Sequence, residues 1–592
     1  MGLPVPDADH LPDSATPEAL SARAGSTVAV GVAVAASVSG LTACGGGGGG
    51  GGGSDGSGGS SSGGSVTPLP EAPQQVTRFE PMTDERAARL LNQAGLGGTP
   101  DEVRALMEQG AEAWLDAQLA MPVGAPIWAW AQSRGFDNQA YAQSDFGLDQ
   151  TLWRRLATAP DVLRQRVVLA LSQIFVVSPL NMVAYWRQFG CLAWWELLEQ
   201  HCFGNFRDLL THVTLSPAMG VYLSMRGSAK ADGSGRQPDE NYARELLQLF
   251  TIGLTQLNLD GTPTSPPRET YTARDVSELA KVFTGWDVNG FNPANPTGPF
   301  GYWRAPMDFN PSRFDTSDKQ VLGVTIPGSL SGPEALSRAL DIIFAHPNVG
   351  PFIARQLIQR LVTSNPSPAY VSRVARVFNN NGASPAVRGD LQAVIRAVLA
   401  DPEARPVIVE PAPGVLNTWH DGKLREPIVR LLQWLRLARC SSVEWNVPDL
   451  SASDQLGQAP LRAPSVFNFY RPGYVPPNTV VAEQGLVAPE FQITHESSVV
   501  GYLNFLWEVL RTGGLGVVVP DYSDVLPLAD DAPALVDRLN LHLTGRTLSA
   551  TTVSTIVQGV QSILGTGATE RLNRVLAAFY LIMVSPEYLV QR

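Results

Sequence analysis

Two motifs carry the densest set of groups able to do acid/base or binding chemistry: PDENYARELLQLFTIGL at 238–254 and YTARDVSELAKVFTGW at 271–286. On the first, Asn241, Glu245 and Gln248 recur at i, i+4 and i+7, and Glu240 and Arg244 form an i, i+4 pair beside them. On the second, Asp275, Glu278 and Lys281 make a comparable face. A carboxylate buried between such helices has its pKa raised toward the range in which it works as a general acid or base. Glu245, Asp275 and, farther along, Asp315 are therefore the candidate catalytic carboxylates, with Asn241 and Arg244 as candidate binding groups. The same spacing also makes capping acids and Arg–Glu ties between helices, and that structural reading is the simpler one. A second candidate surface is FNFYRPGYVPP (467–477), which interleaves four aromatics with Arg471 and three prolines. Tyr470, Arg471 and Tyr474 in it suit stacking on sugar faces or on a proline-rich strand, and suit equally the pinning of a stiff loop onto the body.

Other chemistries lack their residues. His201, His212, His346, His420, His495 and His542 are scattered, with no HxH or HExxH spacing, and no CxxC occurs, so no metal site is expected and no cofactor is indicated. The literal GxSxG matches, at 52–56 and 59–63, lie inside a glycine-rich tract, and in 328–332 the central place belongs to Leu330. Ser331 and Glu334 instead fit a capping box. The formal net charge of −12 and a pI near 5.2, with no Lys/Arg run, exclude the electrostatic footprint of a nucleic-acid partner.

The elements that must position these groups read as helices. Thr99-Pro100-Asp101-Glu102 offers a capping hydroxyl, Pro at the first helical position and Glu at the third; Thr272 with Asp275 starts another helix, which Gly285 follows. LLTHVTLSPAM (209–219), AVIRAVLADPEA (393–404) and LAAFYLIMVSPEY (576–588) each end an apolar helix at Ser or Asp before Pro, because the residue before Pro is pushed out of the α region. Strand alternation is scarce; 321–324 and 516–519 are the candidates for short strands. The fold class is mostly α, a large multi-helix, bundle-like body with a few short strands and long loops.

The 592 residues divide into three parts. Residues 1–43 end in an uncharged apolar run (27–43) and read as a signal peptide. Leu41-Thr42-Ala43-Cys44 resembles a bacterial lipobox, so Cys44 is the expected lipidation site and the expected membrane attachment. Residues 44–80 are a Gly/Ser/Pro-rich tether whose flexible portion of about 22 residues reaches roughly 25 Å. Residues 81–592 form the body. The segment 167–183 holds Ser172, Gln173, Ser178, Pro179 and Asn181 and reads as core rather than as a membrane span. Lipidation leaves Cys191, Cys202 and Cys440, of which Cys191 and Cys202 are able to pair.

RLLNQAGLGGTPDEV (89–103), LRQRVVLALSQIFVVS (163–178), NYARELLQLFTIGL (241–254), VFTGW (282–286), PSVFNFYRPGYVPP (464–477) and SPEYLVQR (585–592), among others, resemble the bacterial domain-of-unknown-function family 1800. The resemblance spans nearly all of 82–592 and implies a mostly helical, exported protein, often encoded beside a sulfatase-like partner; it implies no established reaction. After Asn-Pro-Ser-Arg the family frequently has His-Asp, whereas this chain has Phe314-Asp315, so a site built on that imidazole does not carry over. The expectation is a cell-envelope lipoprotein, outer-membrane by the glycine after Cys44, acting in binding or assembly. The alternative is an envelope hydrolase of a polysaccharide, peptide or sulfated polymer. Cys44→Ala should abolish incorporation of labelled palmitate and shift the protein from the membrane fraction to the soluble one; equal membrane retention would refute the anchor.

Overall fold

The computed structural model describes residues 81–405, 422–512, 515 and 517–592. Cys44, the signal segment, the tether and His420 lie outside the described residues. Within them, 22 α-helices are joined by long loops and short 3₁₀ turns, and strand is confined to three two-stranded antiparallel sheets. The fold is mostly α, as the helix punctuation indicates.

The punctuation works through hydrogen bonds. Thr99 caps the helix Pro100–Gln109 in a reciprocal box with Glu102, and Glu334 accepts both the amide and the hydroxyl of Ser331 at the start of Gly332–Ala345. At two of the three Ser/Asp-Pro stops the short side chain caps the next turn: Asp401 accepts from the Glu403 amide and Ser585 from the Tyr588 amide.

Two expectations change. Residues 321–324 are not one strand but the turn of a hairpin pairing Lys319–Val321 with Val324–Ile326. Leu322 and Gly323 both take positive φ, 49° and 77°, the geometry of a two-residue turn matched to strand twist. The helix that begins at Asn241 is α only to Glu245 and then widens into a π-helix over Leu246–Thr251.

The interior is one continuous apolar cluster holding Trp153, Trp186, Trp194, Trp195 and Trp434, all fully buried. The helix Val162–Ser172 and the residues after it to Val177 are buried throughout. Among the described residues, no helix is long and apolar enough to cross a membrane. Cys191 and Cys202 are buried free thiols. Cys191 lies in the second turn of the helix Arg187–His201 and Cys202 caps its C-terminus, eleven residues or about 16 Å apart, too far for a disulfide.

The two ends of the body meet. Asn92, on the helix Asp84–Ala94, donates to the carbonyl of His542 on Ala532–Thr544 at 3.1 Å and accepts from Gln433 at 3.1 Å. Burial, helped by Arg538 and Arg546, lowers the His542 pKa to about 4. The unfolded chain, with a histidine pKa near 6.5, then binds the proton more readily, so this contribution is whole above pH 6.5 and is lost as pH falls toward about 4. Its size is up to about 3 kcal/mol. Urea midpoints should drop from pH 7 to pH 4.5 more steeply in the wild type than in His542→Gln; parallel curves would refute the assignment.

Candidate functional site

The three candidate carboxylates occupy three different environments. Asp275 closes the capping box of the helix Ala273–Val282, accepting from the amide and hydroxyl of Thr272. Its other oxygen accepts the Leu322 amide at 2.8 Å, while Glu278 accepts the Gln320 amide, so the helix holds the hairpin by its free backbone donors. Asp315 is a turn acid. Burial pushes its pKa up, but the hydroxyl and amide of Ser317 and the charge of Lys319 win and hold it below the ordinary carboxylate value. The Asp315 amide is tied to Thr284, beyond the last turn of the helix that Asp275 begins. Nine residues, about 14 Å, therefore separate the two anchor points. Glu245 alone is buried with an oxygen, Oε2, that has no hydrogen-bond partner, and burial raises its pKa. The structure does not bring these acids together as a pair.

The candidate binding residues divide as well. Asn241 and Arg244 are exposed, and Arg244 pairs with Glu240 at 2.9 Å on the surface, where such pairs contribute about 0–1 kcal/mol. Tyr470 is buried and donates to Gln173 Oε1 at 3.2 Å. Tyr474 is half-buried, its carbonyl taking the Ala488 amide. Arg471 is exposed, with its guanidinium over the Phe467 ring at 4.8 Å. The 467–477 loop thus packs through Tyr470 and offers Phe467 and Arg471 outward.

That outward side forms one wall of a cleft of about 580 Å³. The helix Val349–Leu361 supplies Phe352, Arg355, Gln356 and Arg360; the π-helical turn supplies Gln248 and Leu249; the following loop supplies Leu254 and Leu257. Gln173 closes the back. The lining contains three arginines and three glutamines and no carboxylate. The wide turn is what brings Gln248 to this face: Ile252 donates to the Leu247 carbonyl five residues back, and Thr251 Oγ1 donates to the Leu246 carbonyl. Such turns recur at functional sites. Gly253 next to it has φ 71°, and a Cβ there would sit 2.7 Å from the Phe352 ring, so glycine is what allows the close approach.

Behind the cleft lies a buried ionic cluster. Lys423 Nζ bridges Glu490 Oε1 at 2.9 Å and Glu426 Oε1 at 3.4 Å, and Arg166 stands 3.8 Å from the same Glu426 oxygen. Gln173 and Gln458 donate to Glu426 Oε2. Arg360 donates to the carbonyl of Gln173 at 3.1 Å and to Gln356 Oε1 at 3.2 Å. Glu426 and Glu490 are each 1 % exposed. Burial pushes both upward; Lys423, Arg166 and the donors overcome it at Glu426 and bring that pKa to about 2, whereas burial prevails at Glu490 and its pKa is raised. Three cations face two carboxylates, so the cluster presents positive charge to the cleft through Arg360.

The profile of the family described as "Protein of unknown function (DUF1800)" matches residues 89–590. The chain belongs to this family. Comparison with curated proteins and with solved structures gives no match. In this DUF1800 chain Phe314, at the position after Asn-Pro-Ser-Arg, is buried and packs edge-on against Phe309 with Lys319 above its ring.

Sequence reasoning missed Gln173, Arg355, Gln356 and Arg360. Their signal was present as polar side chains inside otherwise apolar runs, LRQRVVLALSQIF and VGPFIARQLIQRL. A second, smaller crevice of about 320 Å³ holds His201 and His212, with ring centroids 3.8 Å apart, beside the Glu196–Arg304 pair. Among the described residues, no group of three His, Cys, Asp or Glu side chains is placed to hold a metal ion. Lys423→Met leaves two buried carboxylates without their shared cation and should lower unfolding stability by about 3–5 kcal/mol, and Lys423→Met with Glu490→Gln should recover part of that loss. Denaturant midpoints that are unchanged in the single variant, or equal in both, would refute the coupling.

Proposed function

We propose that this DUF1800 protein is a ligand-binding component of the bacterial cell envelope, attached to a membrane through lipidated Cys44, and that the cleft between Val349–Leu361 and the 467–477 loop takes the ligand. One observation carries the reading: segments far apart in sequence converge on a concave, largely apolar cavity of about 580 Å³ whose charged side chains are all cationic. Sites of roughly 300–1,000 Å³ with apolar walls and a few convergent polar groups are the usual form of a small-molecule site. Hydrolysis is less well supported. Hydrolysis by a carboxylate pair requires both acids at one reacting bond, and Asp275 and Asp315 are engaged in a helix cap and in a turn anchored beyond the other end of that helix. The envelope location rests on the lipobox and the glycine tether.

Gly473 lines the cleft with open space around its Cβ position, so a large side chain there fills the mouth without a clash. Native mass spectrometry of the wild type mixed with the small-molecule fraction of an envelope extract should show a mass increment that Gly473→Trp lacks, with thermal midpoints alike. Equal increments, or none on the folded wild type, would overturn the assignment.

A further inference from the structure

We infer that the cleft's ligand is an organic acid with an aliphatic body, its anionic group seated on Arg355 and Arg471 in the field of Arg360 and its chain lying toward Phe352 and Leu249. The inference rests on the cleft being the ligand site and adds the chemistry of what enters it.

Polarity changes along one helix. Phe352, Arg355, Gln356 and Arg360 fall at i, i+3, i+4 and i+8 of Val349–Leu361 and share a face about 12 Å long. At the Phe352 end the neighbours are aliphatic, Leu249, Leu254 and Leu257. At the Arg360 end the two buried side-chain atoms left without a partner are both donors. Arg360 Nε and Gln356 Nε2 are buried without a hydrogen-bond partner, on side chains 4 % and 6 % exposed. The Gln173 side chain is already committed, its amide to Glu426 and its oxygen to Tyr470. Arg355 has no hydrogen-bonding or charged partner among the described residues, and burial alone lowers its pKa. The Arg360 and Gln356 donors are sealed from the cleft, whereas the Arg355 guanidinium lines it, and a ligand oxygen bearing negative charge would give that guanidinium a charge-assisted bond. Arg360, the cation left over once Lys423 and Arg166 are set against Glu426 and Glu490, adds its positive charge to the same side. A neutral sugar answers neither end: it brings hydroxyls to the aliphatic wall and no charge to the arginines.

The test is calorimetric titration of the full chain carrying Cys44→Ala, which keeps its own acyl chains out of the assay. Affinity should climb about fourfold for each methylene buried across hexanoate, octanoate and decanoate. Decanol should bind at least about tenfold more weakly than decanoate, since it lacks the charge-assisted bonds, and acetate should show no binding. Arg355→Met, and separately Arg471→Met on the exposed loop, should weaken decanoate about tenfold and leave decanol unchanged. Decyl phosphate against decanoate distinguishes a phosphorylated lipid fragment from a free fatty acid, and tighter binding of either supports the assignment. A flat chain-length series, decanol equal to decanoate, or decanoate unaffected by both variants would overturn it. If alkyl acids fail while Gly473→Trp still blocks an extract ligand, the cleft remains the site and only this ligand class falls.

Discussion

A carboxylate taken out of water persists only where cations and donors reach it from several sides, and the arrangement around Glu426 organises much of this fold. Its partners come from remote segments: Arg166 and Gln173 from one, Lys423 from its own strand, Gln458 from another loop, with 253 residues between Gln173 and Glu426. Lys423 extends the cluster to Glu490, and its backbone pairs in a two-stranded sheet with Gln591 near the end of the chain. Each partner group belongs to an element that also packs into the apolar core. Docking those elements is therefore coupled to satisfying one buried charge, and the back wall of the cleft is the surface that results.

What was legible in the sequence follows from the range of the interactions. Capping boxes at Thr99, Thr272 and Ser331 involve residues three apart, so type and spacing determine them before any tertiary contact forms. The Ser/Asp-Pro stops are local for the same reason. The site is the opposite case. Gln173, Arg360 and Glu426 are joined by contacts spanning 187 and 253 residues, and nothing in their local sequence specifies the partner. Of the residues singled out beforehand, Arg471 lines the cleft and Tyr470 anchors it from behind through Gln173; their aromatic and proline-rich setting made that loop visible. Asp275 was visible as an acid on a helix face, but the amides it serves, at Thr272 and Leu322, belong to a cap and a hairpin rather than to a ligand.

The Asn241 helix shows how a correct motif leads to the wrong face. Counting at 3.6 residues per turn aligns Asn241, Glu245 and Gln248, but the π-helical turn after Glu245 adds a residue to the repeat. Glu245 goes into the interior, Asn241 stays in water, and Gln248 reaches the cleft, where its side-chain oxygen takes the Tyr271 hydroxyl at 3.3 Å. The widening displaces Gln248 alone; Asn241 and Glu245 part within the α-helical turn, Asn241 exposed at its start and Glu245 buried at its end.

The buried acids of the cluster are structural groups and are not placed for acid/base work. A general acid must exchange its proton with a substrate in one state and with solvent in another, and Glu426 and Glu490, each 1 % exposed behind Gln173 and Arg360, meet neither. Burial raises both, and their opposite pKa directions arise because Arg166 and the Gln173 and Gln458 amides serve Glu426 alone, whereas Glu490 has Lys423 but also faces the Glu426 charge and keeps Oε2 without a hydrogen bond. Protonating Glu490 would remove negative charge from the cluster and leave the arginine-lined side more positive still. In the binding role proposed above, the acids temper the positive charge of the arginine-lined side, and Arg360 and Gln356 are held in place by their own hydrogen bonds before any ligand arrives, which would reduce the ordering a bound acid has to impose.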